Sequence, residues 1–172
     1  MVHKNTGTDD ELRQHIRSLL KQDKDLRGYG LNAGVVEGEV QLQGIVETLS
    51  EKKRAEELVR QVPGVKGVVN ALTISTDGAI SGRDVTMEVQ EELELEPNVD
   101  LRHIGAESVG GHGAVVLKGR TENPAELDAA REAASKARGV TKVINQVKLG
   151  PRKKELTLED LFHSQVNNDR EE

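Results

Sequence analysis

Apolar positions recur every three to four residues in four stretches of the chain and every second residue in several others. The two periods alternate in a fixed order. Leu12, Ile16, Leu19 and Leu20 share one helical face, and so do Ala55, Leu58, Val59 and Val62. Val85, Val89 and Leu93 repeat the first stripe, and Leu127, Ala130, Ala134 and Ala137 repeat the second. Between the stripes lie short β-like runs around a glycine turn. Residues 30–36 precede Gly38 and residues 39–46 follow it, with Val40, Leu42 and Gly44 alternating against Gln41 and Gln43. Residues 114–120 follow Gly110, Gly111 and Gly113 in the same manner. Residues 65–75 and 140–149, rich in Val and Ile, read as a third strand after each second helix. The predicted order is therefore αββαβ, twice. A hairpin followed by one helical crossover makes a three-stranded mixed sheet with two helices packed on one face, so the expected fold class is α+β, in two tandem domains.

Capping chemistry sharpens the helix boundaries. Thr8 with Glu11 and Thr48 with Glu51 have capping-box spacing. Asn123, Pro124 and Glu126 spell another helix start, with an N-cap, a proline at the first helical position and an acid at the third. Ser81 or Gly82 ahead of Asp84 opens the counterpart of the first helix. Gly64 and Gly139 fall just past the second helix of each copy, where a left-handed residue is wanted. The two halves also match without a gap: Val40 with Val115, Leu42 with Leu117, Gly44 with Gly119, Glu51 with Glu126, Ala55 with Ala130, Gly64 with Gly139 and Asn70 with Asn145. What repeats is scaffold, with no reactive group among it. The expected division is an N-terminal segment 1–8, a first domain 9–76, a linker 77–83, a second domain 84–150 and a tail 151–172. Asn70 and Asn145 fall on the apolar face of the third strand, so both are expected to be half-buried and bonded to backbone at a helix end or hairpin.

The spellings V-x-L-x-G (Val40, Leu42, Gly44), a helix with a buried Ala55, and G-V-x-x-V-x-N-x-L (Gly64, Val65, Val68, Asn70, Leu72) resemble the BON family, the bacterial osmotic-stress and nodulation domain. Val115, Leu117, Gly119, Ala130, Gly139, Val140, Val143, Asn145 and Val147 repeat the resemblance, which covers roughly residues 9–150. It implies a non-enzymatic binding module linked to stress and to association with phospholipid membrane surfaces. It also implies an alternative, a cytoplasmic module that responds to potassium or binds another protein.

Composition narrows the chemistry. The chain of 172 residues has no Cys and no Trp, with a single Tyr and a single Phe, so Val, Leu, Ile and Ala must fill two small cores. A net charge of -6 argues against nucleic-acid binding. No apolar run approaches a membrane span, and the first residues lack a secretory signal, so the expected location is cytoplasmic and peripheral to the membrane. Lys52, Lys53, Arg54, Arg60 and Lys66 are the candidates for contacting lipid phosphates, although Glu51, Glu56 and Glu57 are interleaved with them. Arg131, Lys136, Arg138 and Lys142 form the same kind of group in the second copy. The acids at Glu88, Glu91, Glu92, Glu94 and Glu96 read as a solvated helix face. His103 and His112 could approach each other across the hairpin, but they lack a third ligand, and neither metal nor cofactor is expected. Serine-elbow and carboxylate-pair motifs are missing, so no catalytic residue is expected. In the tail, Leu158, Leu161 and Phe162 share one side of a short amphipathic segment suited to docking a partner or the chain's own domains.

Overall fold

The computed structural model describes residues 6–76 and 82–151. The first unit runs α1 (Thr6–Gln22), β1 (Asn32–Val36), β2 (Glu39–Val46), α2 (Leu49–Arg60) and β3 (Gly67–Ile74). The second runs α3 (Gly82–Leu95), β4 (Ile104–Val109), β5 (Ala114–Thr121), α4 (Pro124–Lys136) and β6 (Lys142–Leu149). Each unit folds its strands into one sheet, β1-β2-β3 or β4-β5-β6, with the hairpin antiparallel and the crossover pair parallel. The αββαβ order and the mixed sheets are those the periodicities imply.

Each unit closes its own core. Leu12, Ile16 and Leu20 of α1 and Ala55 and Val59 of α2 lie buried against Val40, Leu42 and Val46. In the second unit Val85, Val89 and Leu93 join Ala130, Ala134 and Ala137 over Val115 and Leu117. Alanine dominates α4, which lets that helix lie close to its sheet. Leu49, at the first turn of α2, packs against both cores. There the helix-bearing sides of the two units meet, and Lys53 Nζ donates to Ser135 Oγ of α4 at 3.3 Å.

Local chemistry agrees with most of the expected boundaries. The capping box of α2 is complete: Glu51 N–H donates to Thr48 Oγ1, and Glu51 Oε2 accepts from Thr48 N–H. Asn123 caps α4 with Pro124 behind it. Thr8 does not cap α1, because that helix already runs from Thr6 and Thr8 lies inside its first turn. Gly64 and Gly139 are left-handed as expected, at φ 95° and 82°, but each lies beyond the C-cap residue, Gln61 or Ala137.

The shared glycine of β2 and β5 has a specific cause. Gly119 has φ 133°, and a Cβ there would sit 1.9 Å from the carbonyl oxygen of His103, which accepts from Arg120 N–H. The chain entering β4 presses directly on the central strand, and only a residue without a side chain lets it do so.

Candidate functional site

The five basic candidates of the first unit do not form one patch. Arg54 is consumed by a forked pair with Asp23, whose side chain is only 7% exposed, and by Asp25. The hydrogen bond from Arg54 holds the Asp23 carboxyl below its ordinary value, and Asp23 raises the Arg54 guanidinium in return. Arg60 is forked onto Glu56 one turn away, and that bond likewise lowers the Glu56 carboxyl. Lys53 points into the seam between α2 and α4, while Lys52 lies on the flank of α2 beside Glu56. Lys66 sits beyond the helix, where its N–H donates to Gly38. The seam holds a cavity of about 480 Å³ lined by Lys53, Arg54, Arg131 and Lys136, but Asp25, Glu57, Asp128 and Glu132 share the same walls. Its field is therefore nearly cancelled. Lys142 does not join these α4 cations, because it projects from the other side of its sheet. Leu158, Leu161 and Phe162 lie outside the described residues.

One buried carboxylate has surroundings that the sequence did not disclose. Glu126 is buried at the third position of α4. It accepts from Asp100 N–H at 2.8 Å, from the Thr121 hydroxyl, and from His103 Nδ1 at 3.1 Å. Burial pushes its carboxyl up, but these bonds together outweigh burial and hold it below its ordinary value. The equivalent Glu51 accepts from Tyr29, whose phenol is raised to about 12 by burial and by that bond. In both units, then, a glutamate at the start of the second helix fastens the loop entering the first strand. The cavity beside Glu126, about 680 Å³, is lined by His103, Arg120, Glu122 and Asn123. Because both Glu126 oxygens already accept bonds, the arrangement is a clasp. His103 and His112 do not meet: β4 separates them by about 20 Å of extended chain. Among the described residues, no three His, Asp or Glu side chains are grouped to hold a metal ion.

The paired asparagines part company. Asn70 Nδ2 donates to the Lys52 carbonyl at 2.8 Å and to Glu56, tying β3 to the body of α2 rather than to its end. Asn145 is exposed, and its side chain accepts only from Val147 N–H of its own strand. The helix facing it carries Arg131 where α2 has Glu56.

The clearest difference between the two units lies on the sheet faces turned away from the helices. On the first sheet that face carries Asn32, Gln41, Gln43, Ile45, Val69 and Thr73, with Glu39 its one charge. On the second sheet Lys118 and Arg120 of β5 lie beside Lys142 and Lys148 of β6, around Val116 and Ile144. Glu107 of β4, bonded to Lys118, is the one acid on this face. Four cations against one carboxylate leave a net charge of about +3 there, on a chain that is acidic overall. Of these four, only Lys142 is among the basic residues that the sequence singles out.

A duplicated helix-over-sheet unit with two separate cores and one charged sheet face is an α+β scaffold for surface contact. The chain belongs to the BON domain family, whose profile matches residues 8–76 and 81–151. It is 28% identical over 149 residues to a protein of Haemophilus influenzae named outer membrane lipoprotein DolP, covering 83% of this chain and 77% of that one. It is 27% identical over 146 residues to a 21 kDa hemolysin of Actinobacillus pleuropneumoniae, covering 83% and 75%. An uncharacterised protein of Anaplasma centrale is 26% identical over 140 residues, covering 76% of this chain and 91% of that one. Among solved structures, CdsD of the Chlamydia trachomatis type III secretion system aligns over 92% of this chain and 68% of its own, at 16% identity and a TM-score of 0.34. No helix of the described residues is long and apolar enough to cross a membrane.

Proposed function

We propose that this protein is a non-enzymatic binding module that associates peripherally with anionic phospholipid surfaces. The contact is assigned to the open face of the sheet β4-β5-β6. The observation that carries the reading is the concentration of Lys118, Arg120, Lys142 and Lys148 around an apolar centre on this face, when the first sheet has no cation in the equivalent place. Each basic residue near an anionic leaflet contributes about 1 kcal/mol. The net charge of this face therefore supplies about 3 kcal/mol, roughly a hundredfold in partitioning. The helix α2 offers less, because Arg54 and Arg60 are already paired with acids. Exposed contacts of this kind are screened over about 8 Å at physiological salt, so the association should be salt-sensitive.

Co-sedimentation with phosphatidylglycerol vesicles tests the reading. The protein should pellet with vesicles at low salt and be released at high salt. The double variant Lys142→Glu with Lys148→Glu should lose this binding, and Lys52→Glu with Lys53→Glu should keep most of it. No binding at low salt, or binding indifferent to the Lys142 and Lys148 pair, would reject it.

A further inference from the structure

We infer that the open face of the sheet β4-β5-β6 is the docking site of the chain's own C-terminal segment, with Leu158, Leu161 and Phe162 seated on Val116 and Ile144. Four observations converge on this face. First, Val116 is only 4% exposed although it points away from the helices and belongs to neither core. Its counterpart Gln41 is exposed, and so is Val69, the counterpart of Ile144, at 58%. Second, the chain leaving β6 is held beside this face: Arg120, one of its residues, donates from Nη1 to the carbonyls of Gly150 at 3.4 Å and Pro151 at 3.0 Å. Third, the length fits. Residues 152–172 remain beyond that point. A helix over residues 157–166 would span about 15 Å, well inside the roughly 26 Å of an eight-residue strand. Fourth, the charges complement each other. Glu155, Glu159 and Asp160 flank the apolar positions of residues 155–166, which hold no Lys or Arg and follow the basic Arg152, Lys153 and Lys154, and Lys118, Lys142 and Lys148 flank those of the face.

The docking itself stands on this geometry. Its consequence, that the tail and a lipid surface compete for one face, rests on the proposal above.

Phe162 makes the test direct, because it is the only phenylalanine in the chain. In dilute full-length protein, methyl-labelled NMR should show cross-peaks between the Phe162 ring and the methyl groups of Val116 and Ile144. Phe162→Leu should move those methyl resonances while leaving the amide spectrum of α3 and α4 in place. Missing cross-peaks together with methyl positions unchanged in Phe162→Leu would overturn the inference. So would cross-peaks found only between differently labelled copies, since they would identify a second chain as the occupant. In vesicle binding, Leu158→Asp with Leu161→Asp should raise the apparent affinity severalfold, because the fraction of molecules with a free face increases. An unchanged affinity of vesicle-binding protein would refute the competition. If neither protein binds vesicles, the lipid reading falls alone and the cross-peaks still decide the docking.

Discussion

Replacing Gly119 by alanine should cost the second unit a large share of its stability, and the cost can be built from its parts. The new Cβ would lie 1.9 Å from the His103 carbonyl oxygen and 2.9 Å from its carbon. Nothing flexible stands in the way, so backbone must move. The movement breaks the bond from Arg120 N–H to His103, worth about 1 kcal/mol. A side chain at φ 133° adds about 1–3 kcal/mol of strain. Relief also drags Ile104, fully buried, away from its core. Together these reach about 3–5 kcal/mol, against about 4–10 kcal/mol for a unit of this size. Gly44 is the internal control. At φ 143° it carries the same strain, but its obstacle is Leu31 Cδ2 at 2.7 Å, the end of a side chain that can rotate. Gly44→Ala should therefore cost about 1–2 kcal/mol less. Urea unfolding followed by circular dichroism reads both variants. Tyr29, the only tyrosine, reports the first unit separately by fluorescence. A loss below about 1 kcal/mol in Gly119→Ala, or one no larger than in Gly44→Ala, would refute the reasoning that backbone contact sets the cost.

Two further perturbations test the bonded side chains. Asn70→Ala removes a bond to the body of α2 and should cost about 1 kcal/mol, whereas Asn145→Ala should cost about half of that or less; equal losses in urea unfolding would contradict the asymmetry. Glu126→Gln supplies one acceptor oxygen where two are used and should cost about 1–3 kcal/mol at neutral pH. Because the folded carboxyl is held below its ordinary value of 4.5, its stabilisation is complete above that pH and fades as the pH falls through the lowered value. The variant should therefore lose less stability than the parent between neutral pH and about pH 3, and parallel acid limbs in pH-dependent urea titrations would count against the clasp.

The fold was readable because its signals are local. Stripes such as Leu12, Ile16 and Leu20, and caps such as Thr48 with Glu51, lie within a few residues of one another. The clasp was hidden because Glu126 has the spacing of a capping acid, and only tertiary contact shows that it turns instead to Asp100 and His103. The charged sheet face was hidden for a different reason. Lys118 and Arg120 look in sequence like ordinary solvated positions of a strand. Their neighbours Gln146 and Lys148 lie 28 residues further on and are joined to them only by the parallel register of β5 with β6. The basic run of α2 looks like a patch because Lys52, Lys53 and Arg54 are consecutive, yet consecutive residues on a helix point in different directions, and acids meet Arg54 and, further along, Arg60.

The duplication itself says where function can have diverged. Val40 and Val115, like Leu42 and Leu117, are 0–1% exposed and sit under both helices of their unit, so their identity is fixed by packing. One residue along each strand, the side chains point the other way and the core no longer constrains them. There Gln41 stands against Val116 and Val69 against Ile144, and Thr73 stands against Lys148. Such exchanges leave the scaffold intact, because neither helix touches that face. The second copy could therefore acquire a cationic, apolar-centred surface while the first kept one without cations. If lipid or the tail engages this protein as proposed, transplanting Val116, Lys118, Ile144 and Lys148 onto positions 41, 43, 69 and 73 should move the binding to the first unit without altering its fold. Failure of that transfer, in a folded variant, would mean that the exit of the chain beside Arg120 is as necessary as the charges.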